Sequence, residues 1–233
     1  MKIFLIIAAG FIAAGALHAQ DPLDAPELEQ SLQVEDFSSV IKSVWDVMKK
    51  GADEYQEQTT TRTEFETATD FEARLQQRRS DIATRIHTYV ESKKLANRLF
   101  AVWLSAKLVH YNADTQTYSV TSSTEISVPP STEDVMMTCP PNQYVSLVET
   151  TRRGYKFAHL LLKTKPEYSW HVDVKTARAA KDDESNVYFK VWFRFDPSQA
   201  FVGTAGQLTL VPVKIALVNK RDNTTYWSDD ILK

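Results

Sequence analysis

Cysteine is almost missing from this chain. Of 233 residues only Cys139 carries a thiol, so no internal disulfide can form and the fold must rest on a packed core. Glycine is scarce too, with six residues. The "GTAG" at Gly203 to Gly206 lacks the lysine and helix start that a phosphate-cradling loop needs. The chain has no H-E-x-x-H, no cysteine pair, no calcium-loop spacing and no G-x-S-x-G elbow. Neither a metal nor a cofactor is implied. Beyond the first twenty residues no apolar run approaches the length of a membrane span, and no repeat or low-complexity tract occurs. Charge of one sign is also lacking: the formal net charge is −3. That mild acidity predicts no strong global attraction to nucleic acid or anionic lipid.

What is present begins with "MKIFLIIAAGFIAAGALHAQ". Lys2 is followed by an uncharged run from Ile3 to Leu17, fifteen residues. As a helix that run reaches only about 22 Å, short of a hydrocarbon core of roughly 30 Å. We read residues 1–19 as a cleaved export signal with Ala19 beside the cut, leaving a mature chain from Gln20 with no transmembrane anchor. The expected protein is soluble, and periplasmic or secreted.

Residues 20–58 read as an acidic lead-in and a first helix. "QDPLDAPELEQ" has two prolines and little apolar surface, which predicts a flexible segment. Phe37, Val40, Ile41, Val44 and Met48 then keep a three-four spacing, with Asp36 placed as the cap and an end expected near Gly51. Asp21 to Glu57 carries ten acids against three lysines. Residues 59–233 read as an α+β domain. Its helix, about 63–94, sets Phe71, Leu75, Ile82, Ile86, Tyr89 and Val90 on one side, with Asp70 as the expected N-cap.

From residue 99 the apolar period shifts toward two. "RLFAVWLSAKLVHY" reads as one central strand covered on both faces, "NADTQT" as a turn, and "VPPSTEDVMMTCPPN" as a long irregular loop. Strands at about 144–150 and 155–164 are joined through "TRRG", where Gly154 can take a positive φ. "VYFKVWFRF" alternates most cleanly, and Pro212 within the last long apolar run argues for an edge or a bulge. The expected fold class is α+β: N-terminal amphipathic helices followed by a mostly antiparallel sheet of six to eight strands.

Candidate chemistry is thin. In "YSWHVDV" a strand would set His171 and Asp173 side by side, two parts of a hydrolytic triad with no identifiable nucleophile. Alternatively, Asp173 caps a short helix over "KTARAAKDD". His110, His159 and His171 could meet only by convergence of three strands. "SVIK" at Ser39 to Lys42 has the spacing of an acyl-enzyme nucleophile but lies in an amphipathic helix without companion motifs. Arg152 to Lys181 holds eight basic residues against Glu167 and Asp173, interleaved with aromatics. Arg152, Arg153, Tyr155, Tyr168, Trp170 and, further on, Trp192 are therefore the candidate ligand contacts. The address argues against nucleic acid as the partner. Asn223 heads an N-x-T acceptor, meaningful only on a glycosylating route. Cys139, between prolines and with no basic residue adjacent in sequence, reads as an inert, partly buried thiol, or else as the link in a Cys139-bridged dimer.

These readings favour an exported, non-enzymatic envelope or secreted protein that binds a protein partner or small ligand. The alternatives are an extracytoplasmic hydrolase using His171 and Asp173 or a histidine metal site, and a structural subunit of an envelope assembly.

Overall fold

The structure is a computed structural model that describes residues 21–59, 61–163, 168–199 and 205–232. The expected export signal, its cut at Ala19 and the first glycine of "GTAG" lie outside the described residues. In chain order the elements are β1 (Glu29–Leu32), α1 (Val34–Thr59), α2 (Ala68–Ser92), β2 (Leu99–Ser105), β3 (Lys107–Asn112), β4 (Thr117–Thr121), β5 (Glu125–Val128), β6 (Val135–Thr138), β7 (Val145–Arg152), β8 (Tyr155–Leu162), β9 (Tyr168–His171), α3 (Val174–Asp182), β10 (Val187–Asp196), β11 (Gly206–Asn219) and β12 (Thr225–Asp230). The fold is α+β, and most strand pairs are antiparallel. Among the described residues no helix is long and apolar enough to cross a membrane.

The main sheet runs β1-β2-β10-β11-β12, with β6 also beside β11. The main sheet thus has six strands, within the six to eight expected, and two further three-stranded sheets, β3-β4-β9 and β5-β8-β7, complete twelve described strands. β10 organises the core because its side chains alternate strictly between buried and half-exposed. Phe189, Val191, Phe193 and Phe195 are almost fully buried. The Phe37 ring of α1 lies 5.1 Å from that of Phe193 and 5.8 Å from that of Phe100, and Phe100 meets Phe195 edge-on at 5.6 Å. Each such side chain contributes about 1.5–3 kcal/mol by leaving water.

Several boundaries differ from the sequence reading. The expected flexible lead-in is ordered from Asp21. Leu23 is buried, β1 pairs in parallel with β2, and the buried Arg98 guanidinium donates to the carbonyls of Pro22 at 3.0 Å and Ala25 at 2.6 Å. Apolar burial and a stitched backbone outweigh the polar composition. Asp36 lies in the first turn of α1, whose hydrogen-bond ladder opens with Phe37 N–H donating to Gln33. That helix also runs through Gly51 to Thr59. Gly51 is a contact point rather than a stop: a Cβ there would come within 3.0 Å of Ile82 Cγ2 and 3.3 Å of Ile86 Cδ1 on α2. α2 is capped by Thr67, with Asp70 completing the box three residues on.

The apolar run after residue 99 is two strands in two sheets, separated at Ala106. There Ser105 N–H donates to Thr124 Oγ1 at 3.0 Å and the chain leaves the main sheet. The proline-flanked "loop" hides β6, which pairs in parallel with the start of β11. Pro212 sits at a bulge in a strand with neighbours on both sides, where the register with β10 shifts between Trp192 and Phe193. The β7–β8 hairpin turns on Arg153 and Gly154, both at positive φ (52° and 82°).

Replacing Gly51 by leucine drives a side chain into Ile82 and Ile86. We expect a loss of about 1–3 kcal/mol, read as a lower urea midpoint with an unchanged slope.

Candidate functional site

The six sequence-level ligand candidates fall in three separate places. Tyr168 and Trp170 are buried, on the inward face of β9. Trp192 is on the outward face of β10. Arg152, Arg153 and Tyr155 are exposed at the β7–β8 turn.

β9 alternates buried and exposed, so Tyr168 and Trp170 point together toward the main sheet. Tyr168 packs on Phe189, with ring centroids 4.8 Å apart, and stacks on Tyr144 at 5.8 Å. β12 supplies the opposite wall through a bulge. Trp227 pairs with Leu217 and Thr225 with Val218, so Tyr226 is the extra residue. Two consecutive rings consequently face β9, Tyr226 at 4.9 Å from Trp170 and Trp227 at 6.4 Å from Tyr168. Trp227 also meets Tyr144 edge-on at 5.9 Å.

Between these walls is a cavity of about 400 Å³ lined by Tyr144, Tyr168, Trp170, Phe189, Leu217 and Trp227. Gln143, Ser169 and Asp229 add the polar lining. Its size lies within the range of small-molecule sites. The Tyr144 hydroxyl donates to Asp229 Oδ2, and Gln143 Nε2 donates to the same oxygen at 3.3 Å. Burial first, and the Asp229 carboxylate second, push the Tyr144 phenol up to about 12. Burial, with a smaller effect of Tyr144, pushes that of Tyr168 higher still. Both phenols stay neutral donors at any physiological pH, and the Tyr168 hydroxyl spends its proton on the Tyr144 carbonyl at 3.1 Å. The pocket offers aromatic faces with one carboxylate. A larger depression of about 620 Å³ beside Met136, Leu147 and Gln207 has no aromatic residue in its lining.

The hydrolytic pairing is not assembled. β9 ends at His171, and Asp173 is the N-cap of α3: its Oδ1 accepts from the amides of Lys175 at 2.9 Å and Thr176 at 3.0 Å, its Oδ2 from Thr176 Oγ1 at 2.7 Å. These bonds, that from the Thr176 hydroxyl foremost, hold its carboxyl below the usual range. His171 is exposed, and among the described residues its imidazole makes no hydrogen bond or ion pair. His110 and His159 belong to different sheets, and no group of three metal-ligating side chains stands together among the described residues. In "SVIK" the Ser39 hydroxyl donates to the Glu35 carbonyl at 3.0 Å and Lys42 pairs with Asp46.

Trp192 belongs to a cation–aromatic ladder on the open face of the main sheet. Lys190 Nζ lies 4.9 Å from the ring centroids of both Trp103 and Trp192, Lys214 lies 5.4 Å from Trp192, and Lys220 lies 5.2 Å from Tyr188. The Trp192 indole N–H donates to Glu29 at 3.0 Å. The chain's own ammonium groups thus occupy these rings, and lysine stems shield them from water. Desolvation lowers the Lys190 pKa, Glu29 opposes that, and Lys214 reinforces it.

Cys139 is half-buried, and burial pushes its thiol up to about 11 against the attraction of Lys163, a spatial neighbour that local sequence does not reveal. Nothing in the structure supports a Cys139-linked dimer. Compared with protein-family models, with curated proteins and with solved structures, the chain finds no match.

Two outcomes follow from this geometry. Native Cys139 should react with iodoacetamide at pH 8 on the order of 100-fold more slowly than in the urea-unfolded chain, a contrast mass spectrometry resolves. Asp173→Ala should lower the urea midpoint by removing the α3 cap, whereas His171→Ala should leave it unchanged.

Proposed function

We propose that this is an exported, non-enzymatic binding protein that holds a small ring-bearing ligand between β9 and β12. The observation that carries the reading is the wall of Tyr144, Tyr168, Trp170 and Trp227 around a cavity with Asp229 in its lining. Aromatic faces take up a flat apolar ring, and a carboxylate selects a ligand with a hydrogen-bond donor or positive charge. Reaction needs a nucleophile, a base or a metal beside the bound group, whereas the nearest phenols are held neutral and the Asp229 carboxylate already accepts from Tyr144 and Gln143. Export is supported by the uncharged run Ile3 to Leu17 behind Lys2.

The test is native mass spectrometry of the protein isolated gently from its own host. We expect a chain beginning at Gln20 that carries a non-covalent mass of a few hundred daltons, about what a cavity of this class encloses. Trp227→Ala should lose that mass while remaining folded by circular dichroism. A chain retaining Met1 would refute export, and bare protein, or an adduct indifferent to Trp227→Ala, would refute the pocket.

A further inference from the structure

The β7–β8 hairpin reaches beyond the sheet that supports it. β5 pairs with β8 from Leu161 only as far as Ala158, opposite Val128, while β7 and β8 continue together to Arg152 and Tyr155. The outer segment, residues 149–157, is exposed throughout, on both faces of the ribbon. A two-stranded ribbon without a third strand or a packed face is marginal in water. This one nevertheless carries large apolar rings at its end, Tyr155 at 72% exposure and Phe157 at 45%. The two share a face, opposite Arg152 and Thr150 respectively.

The tip is also basic. Arg152, Arg153 and Lys156 surround Tyr155, and among the described residues none of the three makes an ion pair. The nearest acid in sequence, Glu149, accepts the Ser131 amide at 2.7 Å. Arg153 holds a left-handed φ of 52° at the turn, where glycine or asparagine is the unstrained choice. Since the whole chain is net negative, the acidic excess lies elsewhere. The resulting charge asymmetry turns the ribbon foremost toward a negative surface.

We infer that the β7–β8 tip is a contact for an anionic lipid bilayer, with Tyr155 and Phe157 entering the interface and Arg152, Arg153 and Lys156 pairing with headgroup phosphates. A narrow convex tip exposed on all sides fits a flat, deformable surface, whereas a protein partner would have to supply a matching cleft. Aromatic rings favour the boundary between headgroups and acyl chains, and long basic side chains keep their charge at the headgroups while their stems stay apolar. The contact is independent of the ligand pocket.

The test is sedimentation of the host-isolated protein with vesicles of phosphatidylcholine alone and of equal parts phosphatidylcholine and phosphatidylglycerol. Binding should favour the anionic vesicles and fall with added salt. Arg152→Gln, Arg153→Asn and Lys156→Gln should each weaken it about fivefold. Tyr155→Ser with Phe157→Ser should weaken it with the charge intact. All five positions are exposed, and the melting temperature of each variant controls for folding. Equal binding to both vesicle types, binding that survives both sets of substitutions, or tip-dependent capture by polyglutamate beads without vesicle binding would overturn the proposal.

Discussion

Everything in this fold depends on the two unlike faces of β10. One side of the strand presents Val187, Phe189, Val191, Phe193 and Phe195, and no single element is broad enough to cover that row. α1 covers one part of it through Phe37, and β9 covers another through Tyr168. The other side presents Tyr188, Lys190, Trp192 and Arg194, where lysine stems over indole rings serve as a thin cover of their own. Burial is thereby divided between a layered interior and a self-shielded exterior.

The same division generates the pocket. β9 covers its share of the sheet without closing against β12, and the seam left between the two strands is lined with rings because aromatic side chains are long enough to bridge it. The bulge at Tyr226 sets two consecutive rings on the same side, which an unbroken strand forbids. Asp229 is brought inward beside Tyr144 with them. The aromatic pocket is a by-product of how the core is closed, refined by one inserted residue.

Legibility in the sequence follows the range of the forces involved. The alternation of β10 and the helical stripe of α2 are local, periodic and strong, and both are readable by eye. Gly51 misleads because its usual meaning is intrinsic propensity, while its role here is the distance between two helices. β6 is hidden because four residues between proline-rich flanks have no period to read, and only the partner β11 makes them a strand. Tyr168 and Trp170 stand out through their composition. Tyr144, Trp227 and Asp229 do not, since nothing near them marks the 24-residue step from Tyr144 to Tyr168 or the 85-residue step to Asp229. Two adjacent aromatics in the otherwise polar strand Thr225–Asp230 are the one local trace of the bulge.

The order of strands across the main sheet also constrains how the chain can be made. β2 lies between β1 and β10, and β10 between β2 and β11. During synthesis, therefore, most of the polypeptide emerges before the strand that joins the halves exists. Until β10 leaves the ribosome, β2 has one open edge, Phe37 lacks Phe193 and Phe100 lacks Phe195. Such a topology closes late and all at once, dominated by contacts distant in sequence, and its nascent form exposes sticky edges for many seconds. A chain of this design folds best when folding is deferred until synthesis is complete.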